Sequence, residues 1–406
     1  MSARVITFGC RLNALESESL RRVAGLDDAI VVNTCAVTAE AERQARQAIR
    51  RAHREHPAAR ILVTGCAAQL DPARWVALPG VARVLGNAEK LQPEAWQGGK
   101  PVAVTDLAAA PPSEPQPLAG FGGRARAFVQ VQQGCDHRCT FCIIPQSRGP
   151  GRSVPLAAII AQARAQVAAG LREIVLTGVD IASYGRDLAG GPSLGDVARA
   201  LLAAVPELPR LRLSSLDPAA IDEPLWRLLA EEERLMPHLH LSVQAGADLI
   251  LKRMRRRHSR SDVLAVIARA RALRPGIAIG ADLIAGFPTE TGALFDDTLA
   301  LVEEAEIPFL HVFPYSERPG TPAARMPPVA PELRRERAAR LREAGEKARA
   351  RFLALQVGCI ASVLTETDEG GHSEHFAPVR LAARAGVVLP ARIVGANDDC
   401  LLAEPA

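Results

Sequence analysis

Three cysteines of the 406-residue chain lie close together in the segment 134–149, GCDHRCTFCIIPQSRG. Cys135, Cys139 and Cys142 form a C-x3-C-x2-C pattern. Three thiolates on one short loop can hold a cubane iron–sulfur cluster, which needs four ligands, and they leave one iron open to a substrate or cofactor. The alternatives are a zinc knuckle, which uses similar ligands and spacing, and three free buried cysteines. The polar neighbours in the loop disfavour the free buried cysteines.

Three more cysteines each follow a short apolar run that is rich in β-branched residues, as is typical of buried strands. The runs are 4–8, 29–32 and 60–64, and the cysteines that follow them are Cys10, Cys35 and Cys66. Helical patterns come next, at about 13–23, 38–56 and 72–77. Alternating strands and helices predict a parallel sheet, whose strands end at one common edge. We therefore expect these cysteines to meet as a second metal site; otherwise each is a small residue in a tight turn.

Two further units follow along the chain. Between residues 124 and 355, strand candidates at 127–131, 173–177, 211–215, 238–243, 277–284 and 309–313 alternate with helical stretches. Six such units predict an open partial (β/α)6 barrel whose site lies at the carboxyl ends of its strands. From 356 to 406, short strands between turn residues predict a small β-barrel, in which Cys359 and Cys400 are expected to be packing residues.

The predicted fold class is therefore α/β with three parts. Residues 1–107 form a parallel α/β domain, 124–355 the partial barrel and 356–406 the small β-barrel. The segment 108–123 is rich in Pro, Ala and Gly, and is expected to be a semi-rigid linker between the first two parts.

The composition is ordinary for a soluble globular protein, with 48% hydrophobic residues, 23% charged residues and a net charge of +4. Apolar runs fall short of the ~20 residues that a membrane span needs, and the first ten residues show no signal pattern. We therefore expect a cytoplasmic protein without a membrane partner. In that compartment, the 8 cysteines favour metal or redox chemistry over disulfides.

The central cysteine loop, with Phe141 before its last cysteine, resembles the signature of radical S-adenosylmethionine (SAM) enzymes. In that family SAM chelates the open iron of a 4Fe–4S cluster, and one electron from the cluster cleaves SAM to release a 5′-deoxyadenosyl radical. The resemblance implies SAM as a cofactor, Phe141 in its binding site, and an external one-electron reductant of the flavodoxin or ferredoxin kind.

The segments 9–18 (GCRLNALESE), 33–38 (NTCAVT) and 64–69 (TGCAAQ) resemble three motifs of the methylthiotransferases within that superfamily. In those enzymes the corresponding cysteines hold an auxiliary 4Fe–4S cluster, whose open iron carries the sulfur to be inserted. The resemblance therefore implies two 4Fe–4S clusters in this chain, one on each group of three cysteines. It also implies that the C-terminal barrel is a TRAM-like RNA-binding module.

The strand ends of the predicted barrel supply candidate SAM contacts by the same resemblance. The candidates are Thr177, Gly178 and Asp180 after the second strand, Ser215 after the third, Gln244 after the fourth, Asp282 and Gly286 in the fifth strand and its turn, and Arg256 in the basic run 252–258. For each polar candidate the alternative is a cap or turn residue. The basic run could bind phosphate or lie on a solvated face, and its His258 stands where the family usually has tyrosine.

Replacing an unactivated C–H hydrogen by a methylthio group needs a radical, which cofactors supply. The segments 9–17, 134–145 and 176–185 look most like the methylthiotransferase branch that acts at C2 of N6-threonylcarbamoyladenosine, next to the anticodon of tRNA. tRNA is then the expected partner. Sibling branches act on N6-isopentenyladenosine in tRNA or on an aspartate of a ribosomal protein. Alternatives of other classes are an electron-transfer iron–sulfur protein and a zinc-dependent RNA-binding protein.

Overall fold

The computed structural model describes residues 4–22, 26, 28–109 and 118–406. These residues build an N-terminal parallel sheet, a central set of parallel strands and a C-terminal closed barrel, which confirms the predicted α/β class and its three parts. The three systems lie within 1–107, 124–355 and 356–406, the ranges proposed as domains. No helix among the described residues is both long and apolar enough to cross a bilayer.

The N-terminal sheet has five parallel strands in the order of the chain. Its elements are β1 (Arg4–Thr7), α1 (Arg11–Leu20), β2 (Ala29–Thr34), α2 (Ala39–Glu55), β3 (Arg60–Gly65), α3 (Cys66–Leu70), α4 (Pro72–Val76), β4 (Val81–Leu85) and β5 (Val102–Ala103). β2 is buried along its whole length: Val32 packs with Ile49 of α2, and Val31 packs on the other face with Leu20 of α1. A parallel strand covered on both faces needs apolar residues at successive positions, which is why this run could be recognised.

Strands β4 and β5 were not predicted. Arg83 interrupts the apolar run of β4 and its side chain donates to the carbonyl of Gly98, while β5 has only 2 residues. Neither segment has the length or the periodicity on which a strand prediction depends. The first helix begins at Arg11 and ends at Leu20, and Val23, where it was expected to end, lies outside the described residues.

Six parallel strands form the central unit. The strands of this region are β6 (Arg126–Gln130), β7 (Gln132–Gln133), β8 (Arg152–Ser153), β9 (Glu173–Thr177), β10 (Arg210–Leu213), β11 (His238–Gln244), β12 (Ala278–Ala285) and β13 (Phe309–Pro314). β7 and β8 make a short antiparallel pair; the others form two sheets, β10–β9–β6 and β11–β12–β13. Parallel bridges from Leu211 to Leu235 and from Leu216 to Leu241 join the two halves. The result is the predicted partial barrel, open between β6 and β13.

Two short helices, α5 (Ile144–Arg148) and α9 (Asp248–Met254), adjoin the cysteine loop. The helices that cover the outside of the partial barrel are α6 (Leu156–Ala168), α7 (Leu194–Ala204), α8 (Glu223–Glu231), α10 (Arg260–Leu273), α11 (Gly292–Glu304) and α12 (Pro331–Ala354). Capping boxes, Ser193 with Asp196 and Ser259 with Asp262, begin α7 and α10. The outward side chains of the strands, such as Leu239 and Leu241, pack against these helices in one continuous core, so the alternate side chains face the interior of the barrel.

The C-terminal barrel is closed, in the order β14–β15–β16–β18–β17. Its strands are β14 (Ile360–Thr367), β15 (Gly370–Ser373), β16 (Pro378–Arg380), β17 (Val388–Ala396) and β18 (Leu401–Pro405). β15 was missed because its sequence, GGHS, carries no apolar alternation. Cys400 is buried as expected, but Cys359 is exposed; the packing role expected for Cys359 was wrong, because it lies in an exposed turn between α12 and β14.

The C-terminal barrel closes the end of the partial barrel at which its strands begin. Arg210 Nη2 donates to the carbonyl oxygen of Ser373 over 2.9 Å, and Arg212 Nη1 donates to that of Glu374 over 2.8 Å. The ring of Phe376 lies 5.0 Å from the guanidinium carbon of Arg212. The segment 373–376 therefore acts as a plug, at the end opposite to the predicted site.

The predicted linker is described only in part, since residues 110–117 lie outside the described residues. Leu118 exchanges two hydrogen bonds with the side chain of Gln162, at 2.8 and 3.0 Å. Leu118 and Phe121 pack in a cluster with Leu12 and Leu15 of α1. The end of this segment thus holds the N-terminal domain against the partial barrel.

Candidate metal centres and the cleft between them

The central cysteine loop leaves β7 and is anchored at several points. Cys135 donates its backbone N–H to the carbonyl oxygen of Gly149 over 3.0 Å, and Thr140 donates to that of Met254 over 3.0 Å. The hydroxyl of Thr140 also donates to the carbonyl of Arg253 over 2.8 Å. The loop therefore has a defined course, with its three thiols at the carboxyl ends of the barrel strands, where the sequence predicted the site.

Burial raises the pKa of Cys135 to about 12 and that of Cys142 to about 11. Both thiols stay protonated near neutral pH in the absence of a metal. A metal ligand must be a thiolate, so metal binding would release these protons. One nearby cation assists: Arg256 Nη1 lies 3.6 Å from the sulfur of Cys139.

The other three cysteines meet at the edge of the N-terminal sheet. Gly9 and Gly65, which precede Cys10 and Cys66, have φ of +94° and +99°, a region that glycine enters without steric cost. A Cβ on Gly9 would lie 2.6 Å from the sulfur of Cys35. A Cβ on Gly65 would lie 2.3 Å from the carbonyl oxygen of Thr34. The two glycines thus permit tight turns, and Gly9 also leaves space beside the thiol of Cys35.

A buried arginine connects this edge to the central loop. Arg148, the last residue of α5, donates through Nε to the sulfur of Cys66 over 3.2 Å and through Nη2 to Asn13 Oδ1 over 2.5 Å. Its Nη1 and Nη2 also bind the two carboxylate oxygens of Glu16, at 2.5 and 2.9 Å. Lys90 Nζ lies 2.6 Å from the same carboxylate. Two buried cations therefore face one carboxylate beside Cys66.

The spacing of the cysteine sulfurs bears on whether a triad could hold a single zinc ion or a cubane iron–sulfur cluster. Among the described residues, two groups bring three potential ligand atoms within 4.8 Å of one another: Cys135–His137–Asp180 and His240–Asp282–His311. Neither cysteine triad forms such a group. A tetrahedral zinc with Zn–S of 2.3 Å holds its sulfurs about 3.8 Å apart. A cubane cluster, whose irons each bind one thiolate, separates them further. The thiols of neither triad are therefore preset at the spacing of a single tetrahedral zinc ion.

Three of the predicted SAM contacts share one cavity. Phe141, Gln244 and Asp282 line a space of about 240 Å³ at the carboxyl ends of β11 and β12, together with Val37 and Thr38 of the N-terminal domain. Gln244 has φ of +73°, a strained conformation for a residue with a side chain, which is often found at functional sites. The cavity thus lies between the domains.

Asp180 lies elsewhere, in the turn after β9. Gln132 Oε1 accepts hydrogen bonds from the backbone N–H groups of Val179 and Asp180, at 3.2 and 2.9 Å, and a Cβ on Gly178 would lie 2.6 Å from the Gln132 carbonyl. His137 Nε2 lies 2.8 Å from Asp180 Oδ2. Asp180, His137 and Gln132 line a second cavity of about 320 Å³, so this turn flanks the cysteine loop on its other side.

The remaining candidates do not line these two cavities. Thr177 is buried in β9 and Ser215 is half-buried after β10. Arg256 donates to the carbonyl oxygen of Ser242 over 2.8 Å and pairs with Asp217. Gly286 is closed off by α12, since a Cβ there would lie 2.3 Å from Arg334 Cγ.

Sequence reasoning missed a cluster in the barrel interior. His240 Nε2 and His311 Nδ1 lie 2.9 and 3.1 Å from Asp282 Oδ1. Burial acts to raise the pKa of Asp282, but the hydrogen bonds from both histidines outweigh it and hold that pKa well below its usual range. For His240 the available signal was the alternation His-Leu-His at 238–240, which places His238 and His240 on the same inner face. Arg148 had no comparable signal, because its partners lie far away in sequence.

Comparisons with known proteins find relatives over nearly the whole chain. One family model, described as the radical SAM superfamily, matches residues 129–302, and another, described as uncharacterized protein family UPF0004, matches residues 2–86. A Rickettsia prowazekii protein named threonylcarbamoyladenosine tRNA methylthiotransferase MtaB is 47% identical over 97% of this chain and 95% of its own length. A Thermotoga maritima protein of the same name is 37% identical, over 90% and 86%.

A relative with a different named product is also similar. The tRNA-2-methylthio-N(6)-dimethylallyladenosine synthase of Anaeromyxobacter dehalogenans is 37% identical over 98% of this chain and 92% of its own length. Among solved structures, the radical S-adenosylmethionine methyltransferase TsrM from Kitasatospora setae has a TM-score of 0.53 at 17% identity, and the match covers 73% of this chain and 66% of that one. The structural likeness shows a shared fold.

Proposed function

The chain belongs to the radical-SAM tRNA methylthiotransferase family, and from that premise we propose that it inserts a methylthio group at C2 of N6-threonylcarbamoyladenosine, next to the tRNA anticodon. Relatives named for this activity match nearly the whole chain. One structural observation supports the proposal above all others. The helix that follows the central cysteine loop ends in contact with a cysteine of the other triad.

That helix, α5, begins at Ile144, two residues after Cys142, and ends at Arg148. Five helical residues span only about 7–8 Å, and Arg148 contacts Cys66. Ile143 packs into the core of the N-terminal domain with Cys66 and Ala67. A substrate carbon held in the cleft between the domains could therefore meet chemistry from both cysteine groups.

We propose that each triad holds one 4Fe–4S cluster, the N-terminal one being auxiliary. The excess of positive charge in the Arg148–Glu16–Lys90 network supports this, because a buried cation is costly unless an anion balances it. Thiolates bound to a cluster would provide that negative charge. When bound, the central cluster with SAM would supply a hydrogen-abstracting radical, the auxiliary cluster a sulfur, and a second SAM the methyl group.

The chain's own residues would place SAM around the central loop. We propose that Phe141, Gln244 and Asp282 contact it on the side of the interdomain cavity and that Asp180, oriented by His137 and Gln132, contacts it on the other side. Thr177, Gly178 and Ser215 would shape the strand ends, Arg256 would stabilise the cysteine loop, and Gly286 would keep α12 close. Because SAM cleavage consumes one electron, we also propose an external flavodoxin- or ferredoxin-like reductant. Since tRNA is the substrate, we propose a cytoplasmic location.

Mass spectrometry of tRNA nucleosides tests the substrate. In a strain that lacks this gene, we expect the methylthio derivative of threonylcarbamoyladenosine to disappear and its unthiolated precursor to accumulate, and the gene supplied in trans should reverse both changes. Loss of methylthio-isopentenyladenosine instead would keep the chemistry and overturn the substrate. No change in any tRNA nucleoside would overturn the proposed function and favour a ribosomal-protein target.

Single cysteine variants test the two clusters. We expect Cys66→Ser and Cys139→Ser each to lower the iron content by about four per chain. Cys139→Ser should abolish SAM cleavage, whereas Cys66→Ser should retain cleavage and lose methylthiolation. Cys359→Ser is the control, because Cys359 is exposed and lies outside both triads. Zinc without iron or acid-labile sulfide in the unsubstituted protein would contradict the cluster assignment.

A further inference from the structure

All three parts of the molecule meet around one cavity in the barrel interior. The cavity has a volume of about 370 Å³ and is lined by Arg11 of the N-terminal domain, His240 and His311 of the barrel strands, and Phe376 of the C-terminal barrel. This volume lies in the range of small-molecule sites, about 300–1,000 Å³. Arg11 directly follows Cys10 in sequence, so the cavity adjoins the auxiliary cysteine edge.

The guanidinium group of Arg11 has no polar partner among the described residues. It lies 6.0 Å from the centre of the Phe376 ring, and Arg11 is half-buried. The nearby carboxylates are already engaged: Asp282 by two histidines, and Glu173 by Arg210 and Arg212 at 2.8 and 2.9 Å. A half-buried cation without a bound counter-ion is unfavourable, so this position favours an anionic ligand.

The other arginines of the cavity differ from Arg11. Arg349 Nη2 lies 2.7 Å from Asp399 Oδ1, and Arg342 Nη2 donates to the carbonyl oxygen of Val312 over 3.1 Å. Both therefore have partners within the fold. Arg11 differs in that its five N–H donors are available to a ligand.

We propose that Arg11 binds the carboxylate of the threonyl group of the substrate and so selects threonylcarbamoyladenosine. This inference rests on the proposed function. The threonylcarbamoyl substituent ends in a carboxylate, and a guanidinium group binds a carboxylate through two parallel hydrogen bonds. Because Arg11 directly follows Cys10, a substrate held by its carboxylate at Arg11 would lie near the proposed source of sulfur. A backbone phosphate offers similar chemistry, and the test must separate the two sources.

The test measures the affinity of the reconstituted full-length protein for three anticodon stem-loop RNAs. They carry unmodified adenosine, threonylcarbamoyladenosine, or its neutral carboxamide analogue at the target position. We expect the unsubstituted protein to bind the carboxylate RNA about ten- to a hundredfold more tightly than the carboxamide RNA, as charge-assisted hydrogen bonds imply. In Arg11→Gln this ratio should fall below about threefold, with the affinity for the unmodified RNA unchanged.

Two further variants keep the test decisive. Arg349→Gln also removes one positive charge from the cavity, but Arg349 is already paired with Asp399. This variant should therefore still discriminate between the carboxylate and carboxamide RNAs. Iron content and circular dichroism would reveal whether Arg11→Gln folds. If it does not, Arg11→Lys replaces it in the test; this variant keeps the charge and should retain part of the discrimination between the carboxylate and carboxamide RNAs. In turnover, Arg11→Gln should raise KM for the modified RNA while uncoupled SAM cleavage is unchanged.

The remaining outcomes overturn either the role of Arg11 or the proposed substrate. If Arg11→Gln weakens binding of all three RNAs equally, Arg11 contacts a phosphate and the inference is wrong. If Arg11→Gln still discriminates fully, another group reads the carboxylate and the inference is again wrong, with the proposed function intact. If the unsubstituted protein does not distinguish the carboxylate and methylthiolates another nucleoside, the proposed substrate itself is wrong.

Discussion

Replacement of Arg148 by glutamine is expected to lower the iron content by about four per chain and to lower the free energy of unfolding of the metal-free chain by about 1–3 kcal/mol, because Asn13 and Glu16 lose hydrogen-bond donors. Arg148 is buried, and it binds Glu16 through two hydrogen bonds while donating to the sulfur of Cys66. Without it, Glu16 retains Lys90 and the cluster thiolates lose a balancing cation. Iron analysis, electron paramagnetic resonance and urea unfolding measure these effects.

Two variants separate the roles of Arg148. Arg152→Gln is the matched control: Arg152 is half-buried and its side chain donates to the carbonyl of Leu107 over 2.7 Å, so we expect iron content to be unchanged. Arg148→Lys keeps the charge but lacks the fork geometry that reaches sulfur, amide and carboxylate together, so its iron content should be intermediate. An Arg148→Gln protein with full iron and unaltered spectra of both clusters would contradict the role proposed here.

Replacement of Glu173 by glutamine is expected to destabilise the barrel and its C-terminal plug by about 3–5 kcal/mol near neutral pH. The buried carboxylate pairs with Arg126, Arg210 and Arg212, and the last two arginines hold the carbonyls of Ser373 and Glu374. Removing the negative charge leaves three cations close together. Urea unfolding and limited proteolysis of the C-terminal barrel would report the loss.

The effect of Glu173 should depend on pH in a defined direction. Burial acts to raise its pKa, but the three arginines outweigh burial and lower the pKa to about 2, from an ordinary value of 4.5. A carboxyl group with a lowered folded-state pKa stabilises the fold above its unfolded-state pKa, and this contribution disappears as the pH falls towards the folded-state value. The difference between the unsubstituted protein and Glu173→Gln should therefore be constant above about pH 5.5 and shrink below about pH 4.5.

The control for this prediction lies on the surface. Glu343 pairs with Lys347 on the exposed face of α12 at 2.7 Å, and exposed pairs of this kind contribute little to stability. Glu343→Gln should therefore unfold at the same urea concentration as the unsubstituted protein at every pH. The stability difference between the unsubstituted protein and Glu173→Gln should not grow on acidification. Such growth would require a raised folded-state pKa of Glu173 and would contradict the pKa assignment.

Elements with a strong local pattern were predicted well. β9 was predicted at 173–177 and is found at Glu173–Thr177, because a buried parallel strand is a continuous apolar run bounded by other structure. The convergence of Cys10, Cys35 and Cys66 also followed from pattern, since parallel strands end at one edge. Short or polar strands such as β5 and β15 were missed because their pairing is decided by neighbouring strands and not by their own residues.

The candidate site shows the same division. The candidate cysteines could be named because ligand type and spacing are visible locally, and the turn of Gly178 and Asp180 lies beside the cysteine loop. Gly286 was named from a similar pattern, but the structure closes it off with α12. Whether a strand-end residue faces a cavity or a neighbouring helix depends on packing, which the strand's own sequence does not encode.

The sequence by itself determined the candidate metal-binding residues, the three-part fold and the family, because cysteine spacing, hydrophobic period and motif order are properties of short segments. Only the tertiary structure decided which distant side chains meet. Arg148 reaches Glu16 across 132 positions of sequence, and Arg11 reaches a cavity shared with Phe376 of the last domain. Such contacts depend on how domains dock and how helices are rotated against them. Those features arise from the sum of many weak packing contacts along the whole chain, so no single segment reveals them.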